Sequence, residues 1–276
     1  MIPLVLVPGI QGRWEYMRPT VEALSGHFRV VTFSLRHDAE SLDGYVQQIV
    51  DELDRAGLAD AVICGVSFGG LVALRFAAVH PQRTRALVLA STPAPGWTLR
   101  PRHRLYARLP WIFGPLFLIE SPWRLRAEIA AAFPDRSARR AFRLEALRTI
   151  AAAPISLKQM AARALLMTTL NLEPDCARIA APTLVVTGER ALDHVVPVDG
   201  TSVYARMIAG ARAVVLERTG HVGTITRPNA FAELVRAFVV RADGGWRETD
   251  SGADLRSTIE PQSALRNPHS QGSDAA

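Results

Sequence analysis

A doubly wound α/β fold on a mostly parallel sheet of about six strands is what this sequence predicts, on three observations. Short apolar runs alternate with helical segments; those runs are apolar throughout; and the rhythm stops near residue 93 and resumes near residue 179. Strands covered on both faces by helices are continuous apolar runs, whereas a strand with one wet face alternates, so the second observation selects a parallel sheet.

The elements follow in order. Leu4 to Val7, running straight into Pro8-Gly9, reads as the first strand, and Val30 to Phe33, Ala61 to Cys64 and Ala86 to Leu89 read as the next three, with helices between. The segment Gly70 to Ala78 has helical composition. After the gap, Pro182 to Gly188 and Ala213 to Leu216 read as strands, with helices near Ser202 to Ile208 and Ala230 to Val240. Residues 94–178 show helical patterning broken by prolines, with Trp97, Trp111 and Trp123 among apolar residues and arginines. That composition predicts a helical cap over the carboxyl edge of the sheet, where such folds hold their ligands. Residues 1–93 and 179–241 then form the core, and 242–276, polar and unpatterned, is expected to be a disordered tail.

Composition narrows the function. A chain of 276 residues that is 49% hydrophobic buries one substantial core. Its longest apolar stretch, Leu105 to Ile119, is cut by Arg108, Pro110, Gly114 and Pro115, so no transmembrane segment is expected. The N-terminus carries no basic leader, which predicts a cytoplasmic protein. Cys64 and Cys176 make no disulfide framework. A pI of about 10.1 and a net charge of +6 raise nucleic acid as a partner. The basicity is local, however: residues 94–178 hold thirteen arginines and the chain's one lysine, Lys158, against six acidic residues. No nucleic-acid motif accompanies them, so the expected partner is a small-molecule substrate.

The chemistry is carried by Gly65-Val66-Ser67-Phe68-Gly69, directly after the strand Ala61 to Cys64. A serine hydroxyl attacks at neutral pH only when a base takes its proton and the chain presents its oxygen clear of the backbone. Glycines on both sides let strand and following helix approach closely, with the serine on the sharp turn between them. Ser67 is thus the expected nucleophile. Of seven histidines, His221 in Thr219-Gly220-His221-Val222-Gly223 follows the last strand on a loop before a helix, where a base is expected. His194 competes less well, sitting on the loop expected to supply the acid. On that loop Asp193 completes the order Ser, Asp, His, with Glu189 as the rival, one residue past Gly188. Two N–H donors must face the developing oxyanion. One is expected from Phe68, the other from the loop Pro8-Gly9-Ile10-Gln11-Gly12, with Ile10 first and Gln11 second. A dinucleotide site is not indicated by these glycines, because the G-x-G-x-x-G spacing is absent.

Together these residues resemble the α/β-hydrolase superfamily, in its lidded branch, from Met1 to about Arg241. The family's Gly-x-Ser-x-Gly nucleophile, an acid four residues before a proline and a Gly-His before the last helix match Ser67, Asp193 and His221. Three departures stand out: the usual His-Gly before the oxyanion donor is Pro8-Gly9, one residue is added between Gly188 and Asp193, and the chain starts at what resembles the family's third strand. The resemblance implies a serine hydrolase working through an acyl-enzyme on Ser67, with carboxylic esters as the expected substrates and no metal or organic cofactor. Lactones, thioesters or carbon–carbon bonds are the alternative, and a noncatalytic binding protein is the alternative of a different kind. Trp111, Phe113 and Phe117 are the expected lining of an apolar acyl pocket, while Arg100, Arg102, Arg104 and Arg108 are candidates to bind a carboxylate.

Overall fold

The computed structural model describes residues 1–244, without the side chains of Phe117, Leu118 and Ser121. Six strands, β1 (Pro3–Val7), β2 (Arg29–Thr32), β3 (Ala61–Val66), β4 (Thr84–Ala90), β5 (Thr183–Thr187) and β6 (Arg212–Val215), form one sheet in the order β2-β1-β3-β4-β5-β6. Every neighbouring pair is parallel. The helices in the first half are α1 (Arg18–Ser25), α2 (Leu42–Arg55) and α3 (Phe68–Val79). Between β4 and β5 lie α4 (Pro101–Arg108), α5 (Pro110–Ala132), α6 (Arg136–Ala152), α7 (Leu157–Met167) and the short α8 (Glu173–Cys176). The chain closes with α9 (Val198–Ser202), α10 (Tyr204–Met207), α11 (Gly223–Thr226) and α12 (Pro228–Asp243).

Alternation along the central strands divides the core. Val5, Val7, Ile63, Leu87, Leu89 and Val185 pack on one face with α2, α3 and α10. Leu4, Leu6, Val62, Cys64, Val88, Leu184 and Val186 pack on the other with α1 and α12. Because both faces are covered, the sequence shows unbroken apolar strands. The strand order reverses between β1 and β3, which opens a crevice at their carboxyl ends. Two loops meet there: Pro8 to Gly12 after β1 and the turn at Ser67 after β3.

Two details differ from expectation. The last helix runs two residues past Arg241, to Asp243, and the remainder of the expected tail lies outside the described residues. In the inserted segment, Pro115 and Pro122 do not break the helix; α5 continues through both for 23 residues. Among the described residues, no helix is long and apolar enough to cross a membrane.

Candidate active site

Ser67 stands between β3 and α3 with φ 54° and ψ −119°, a left-handed backbone that a residue with a Cβ adopts only under strain. The flanking glycines make the turn possible. A Cβ on Gly65 would lie 2.2 Å from the carbonyl oxygen of Gly69, and one on Gly69 would lie 2.3 Å from that of Val7. Phe68 is the first residue of α3, so its N–H has no carbonyl within the helix to bond and faces outward at the helix N-terminus. The loop after β1 lies alongside: the Cβ position of Gly9 is 3.6 Å from Ser67 Cβ. Ile10 and Ser67 share the wall of one cavity.

His221 reaches the serine from the loop after β6. Its Nε2 is 3.2 Å from Ser67 Oγ, and its Nδ1 is 3.5 Å from Asp193 Oδ2. Nδ1 is buried without a hydrogen bond of normal geometry, and the Asp193 carboxylate 3.5 Å away is the group it faces. Asp193 is fixed by its other oxygen, Oδ1, which accepts from the amides of Val195 and Val196 at 2.9 Å each. Burial pushes the Asp193 carboxyl upward, but the His221 contact and the two amides outweigh it and hold the group below its usual value. It is therefore an anion across the neutral range. Glu189 is elsewhere engaged: its Oε1 accepts from the amide of Arg218 at 2.5 Å, fastening the turn that precedes His221. His194 contributes its backbone carbonyl, which accepts from Arg124.

A cavity of about 150 Å³ opens above Ser67 and His221. Its walls are almost wholly apolar: Trp97, Leu99 and Tyr106 on one side, Leu157, Met160, Ala161, Ala164 and Met167 on another. The last five are one face of α7 at helical spacing, a periodicity that the sequence carries but that points to a buried face rather than to a cavity wall. The structure places those aromatics differently. Trp111 is 76% exposed and turned away from the cavity, because α5 presents Pro110, Gly114 and Arg124 inward and the next residue round the helix from Pro110 lies about 100° away. Phe113 stacks on Tyr106, its ring centroid 5.3 Å away, and so backs the wall without forming it. The Phe117 side chain lies outside the described residues.

The polar part of the wall is His103 and Arg124, with Arg124 Nη1 3.4 Å from His103 Nε2. Burial, then the charges of neighbouring arginines, lower the pKa of both. Arg100, Arg102, Arg104 and Arg108 are exposed and do not line the cavity, and Arg102 is paired with Glu120. The cationic group available to a bound molecule is thus Arg124. Among the described residues, no group of three or more His, Cys, Asp or Glu side chains is arranged to hold a metal ion.

Two charged side chains from the inserted helices were not singled out by the sequence. Arg163 of α7 is 1% exposed and donates to the carbonyls of Ile10 at 3.1 Å, Arg36 at 3.2 Å and Leu35 at 3.5 Å, and to the Tyr45 hydroxyl at 3.2 Å. Tyr45 in turn meets Phe68 edge to face at 5.3 Å. One guanidinium therefore ties the loop after β1 to the packing beneath the serine turn. Glu128 of α5 is fully buried, and its Oε1 accepts from the amide of Val222 at 2.8 Å, next to His221.

A parallel sheet with a strained serine at its switch point, a histidine on the loop after the last strand and an acid after the strand before it defines a class, and the chain belongs to it: the alpha/beta hydrolase family model matches residues 4–234. Among its relatives, 3-oxoadipate enol-lactonase 1 of Acinetobacter baylyi is 24% identical, over 83% of this chain and 84% of its own. The pimeloyl-[acyl-carrier protein] methyl ester esterase of Vibrio campbellii is 26% identical, over 85% and 93%. The fold is shared with the crystal structure of the enol-lactonase from Burkholderia xenovorans, at a TM-score of 0.70 and 24% identity, over 87% of this chain and 91% of that one.

Proposed function

We propose that the protein hydrolyses carboxylic esters with a small apolar acyl group through an acyl-enzyme on Ser67. The observation that carries this reading is the 3.2 Å approach of His221 Nε2 to Ser67 Oγ at the floor of an apolar cavity. His221 takes the serine proton as Oγ attacks the ester carbonyl, and Asp193 stabilises the imidazolium that results. The amides of Phe68 and Ile10 receive the negative oxygen; each such donor is worth about two to three decades of rate. Collapse of the tetrahedral intermediate expels the alcohol, which leaves with the proton from His221. Water then repeats the sequence on the acyl group and frees Ser67.

The helices of residues 94–178 act in this reading as the cap that selects the acyl group. An apolar cavity of 150 Å³ accommodates a group about the size of benzene. The alternative substrate, an ester or lactone that bears a carboxylate, is favoured by one observation, the pair Arg124 and His103 in the wall. Ser67→Ala tests the central reading, by turnover of short aryl esters and a lactone beside thermal melting. A folded variant with no turnover supports it; a folded variant with undiminished turnover overturns it. Arg124→Met in the same panel separates the two substrate readings, since only a carboxylate-bearing ester should lose rate.

A further inference from the structure

Glu128 is the most unusual group outside the triad. It is fully buried in an otherwise apolar turn of α5, between Ala127 and Ile129, in the inserted segment. Its Oε1 accepts from the Val222 amide at 2.8 Å, the Gly220 amide is also directed at the carboxylate, and Oε2 is buried with no partner. The residue between those two amides is His221. A buried carboxylate with an unsatisfied oxygen is costly to retain, and a core leucine would fill the same space without that cost.

We infer that Glu128 is a positioning residue for His221, holding the Gly220–Val222 loop and placing a second negative charge beside the imidazolium that forms when Ser67 loses its proton. The inference rests on the Ser67–His221–Asp193 reading and adds a part to it. The charged groups that face Glu128 are His221, on the loop after β6, and Asp193, on the loop after β5. Arg124 lies one turn away on the same helix, and Arg218 donates to the carbonyl of Ala131 further along it. Burial pushes the Glu128 carboxyl up to about 7, against the lowering exerted by the two amides and His221. The charge is therefore present above neutrality and lost below it. Because Glu128 belongs to α5, the base is complete only when the inserted helices are seated on the core.

Glu128→Gln keeps the acceptor for Val222 and removes the charge. The expected result is a kcat/KM lowered about tenfold to a hundredfold at alkaline pH, with KM little changed. The acid limb of log kcat/KM against pH should carry an extra fall of about one to two decades near pH 7 in the wild type that the variant lacks, a change that a purely structural role would not produce. In the wild type itself, the Glu128 carboxyl resonance should titrate near pH 7, well above the usual carboxylate range. A Glu128 carboxyl that titrates in the usual carboxylate range, or an unchanged rate and pH profile in a folded Glu128→Gln protein, overturns the inference. Fluorophosphonate labelling of both proteins at Ser67 keeps the outcomes apart: labelling with an unchanged profile refutes the role of Glu128 alone, and absent labelling refutes the triad.

Discussion

Replacing Arg163 with methionine removes the guanidinium that joins the inserted helices to the loop after β1, while roughly preserving volume. Three carbonyls and the Tyr45 hydroxyl lose their donor, at contacts of 3.1 to 3.5 Å. At about 1 kcal/mol net for each hydrogen bond the loss is about 4 kcal/mol. Part is returned because a guanidinium no longer has to be held out of water, which leaves a destabilisation of about 2–3 kcal/mol. For a chain of this size that is about 5–10 °C in Tm. The catalytic consequence is separate. With the Ile10 carbonyl released, the loop proposed to hold the oxyanion loses its anchor, and kcat should fall toward the loss of one donor, about a hundredfold. Arg163→Lys should recover only part of either quantity, since an ammonium is a point donor and cannot span four acceptors in a fork. Calorimetry and turnover of a short aryl ester measure both effects. A methionine variant that melts with the wild type and turns over within a factor of two of it would refute the view that Arg163 organises the loop.

Lengthening the acyl chain of an aryl ester should raise kcat/KM by about fourfold per methylene until the cavity is full, the rate equivalent of about 0.8 kcal/mol each; a flat series would remove the apolar pocket from the mechanism. Asp193→Asn should lower kcat by about four decades because the imidazole then settles in the wrong tautomer, whereas Glu189→Gln should act mainly on Tm, and the reverse order would move the acid to Glu189. Glu128 gives a signed test by denaturation. Its pKa is raised from 4.5 to about 7 in the folded protein, so its contribution is fully present below the unfolded value and is lost as pH rises through the folded one. The stability of Glu128→Gln relative to wild type should accordingly grow by about 3 kcal/mol from about pH 5 to about pH 8, and a difference independent of pH would contradict the burial of an ionising group.

What the sequence made legible was set by how local the signal is. The turn at Ser67 is encoded within five residues, and Asp193 and His221 follow successive strands, so chain order sufficed to place the three side chains near one another. The four central strands were legible because burial on both faces leaves no alternation to misread. The helices of the inserted segment were legible but its cavity lining was not, for a physical reason: α5 carries apolar residues on its exposed side, with Trp111, Ile119 and Trp123 each more than two-thirds exposed, so the usual inference from apolarity to burial points the wrong way. Arg163 and Glu128 were hidden differently. Each becomes meaningful only when a helix of the insert is laid against a loop far away in the chain, Ile10 for one and Val222 for the other. A charged residue on a helix reads as solvated until its partners are known.

The most direct measurement of the central claim is the site of covalent capture. The protein is incubated with a fluorophosphonate, its intact mass is recorded, and the modified peptide is sequenced. One adduct per chain on Ser67, formed much more slowly in His221→Ala, is the result expected of a serine activated by the histidine 3.2 Å away. A folded chain that takes up no reagent, or takes it up at another residue, would contradict it.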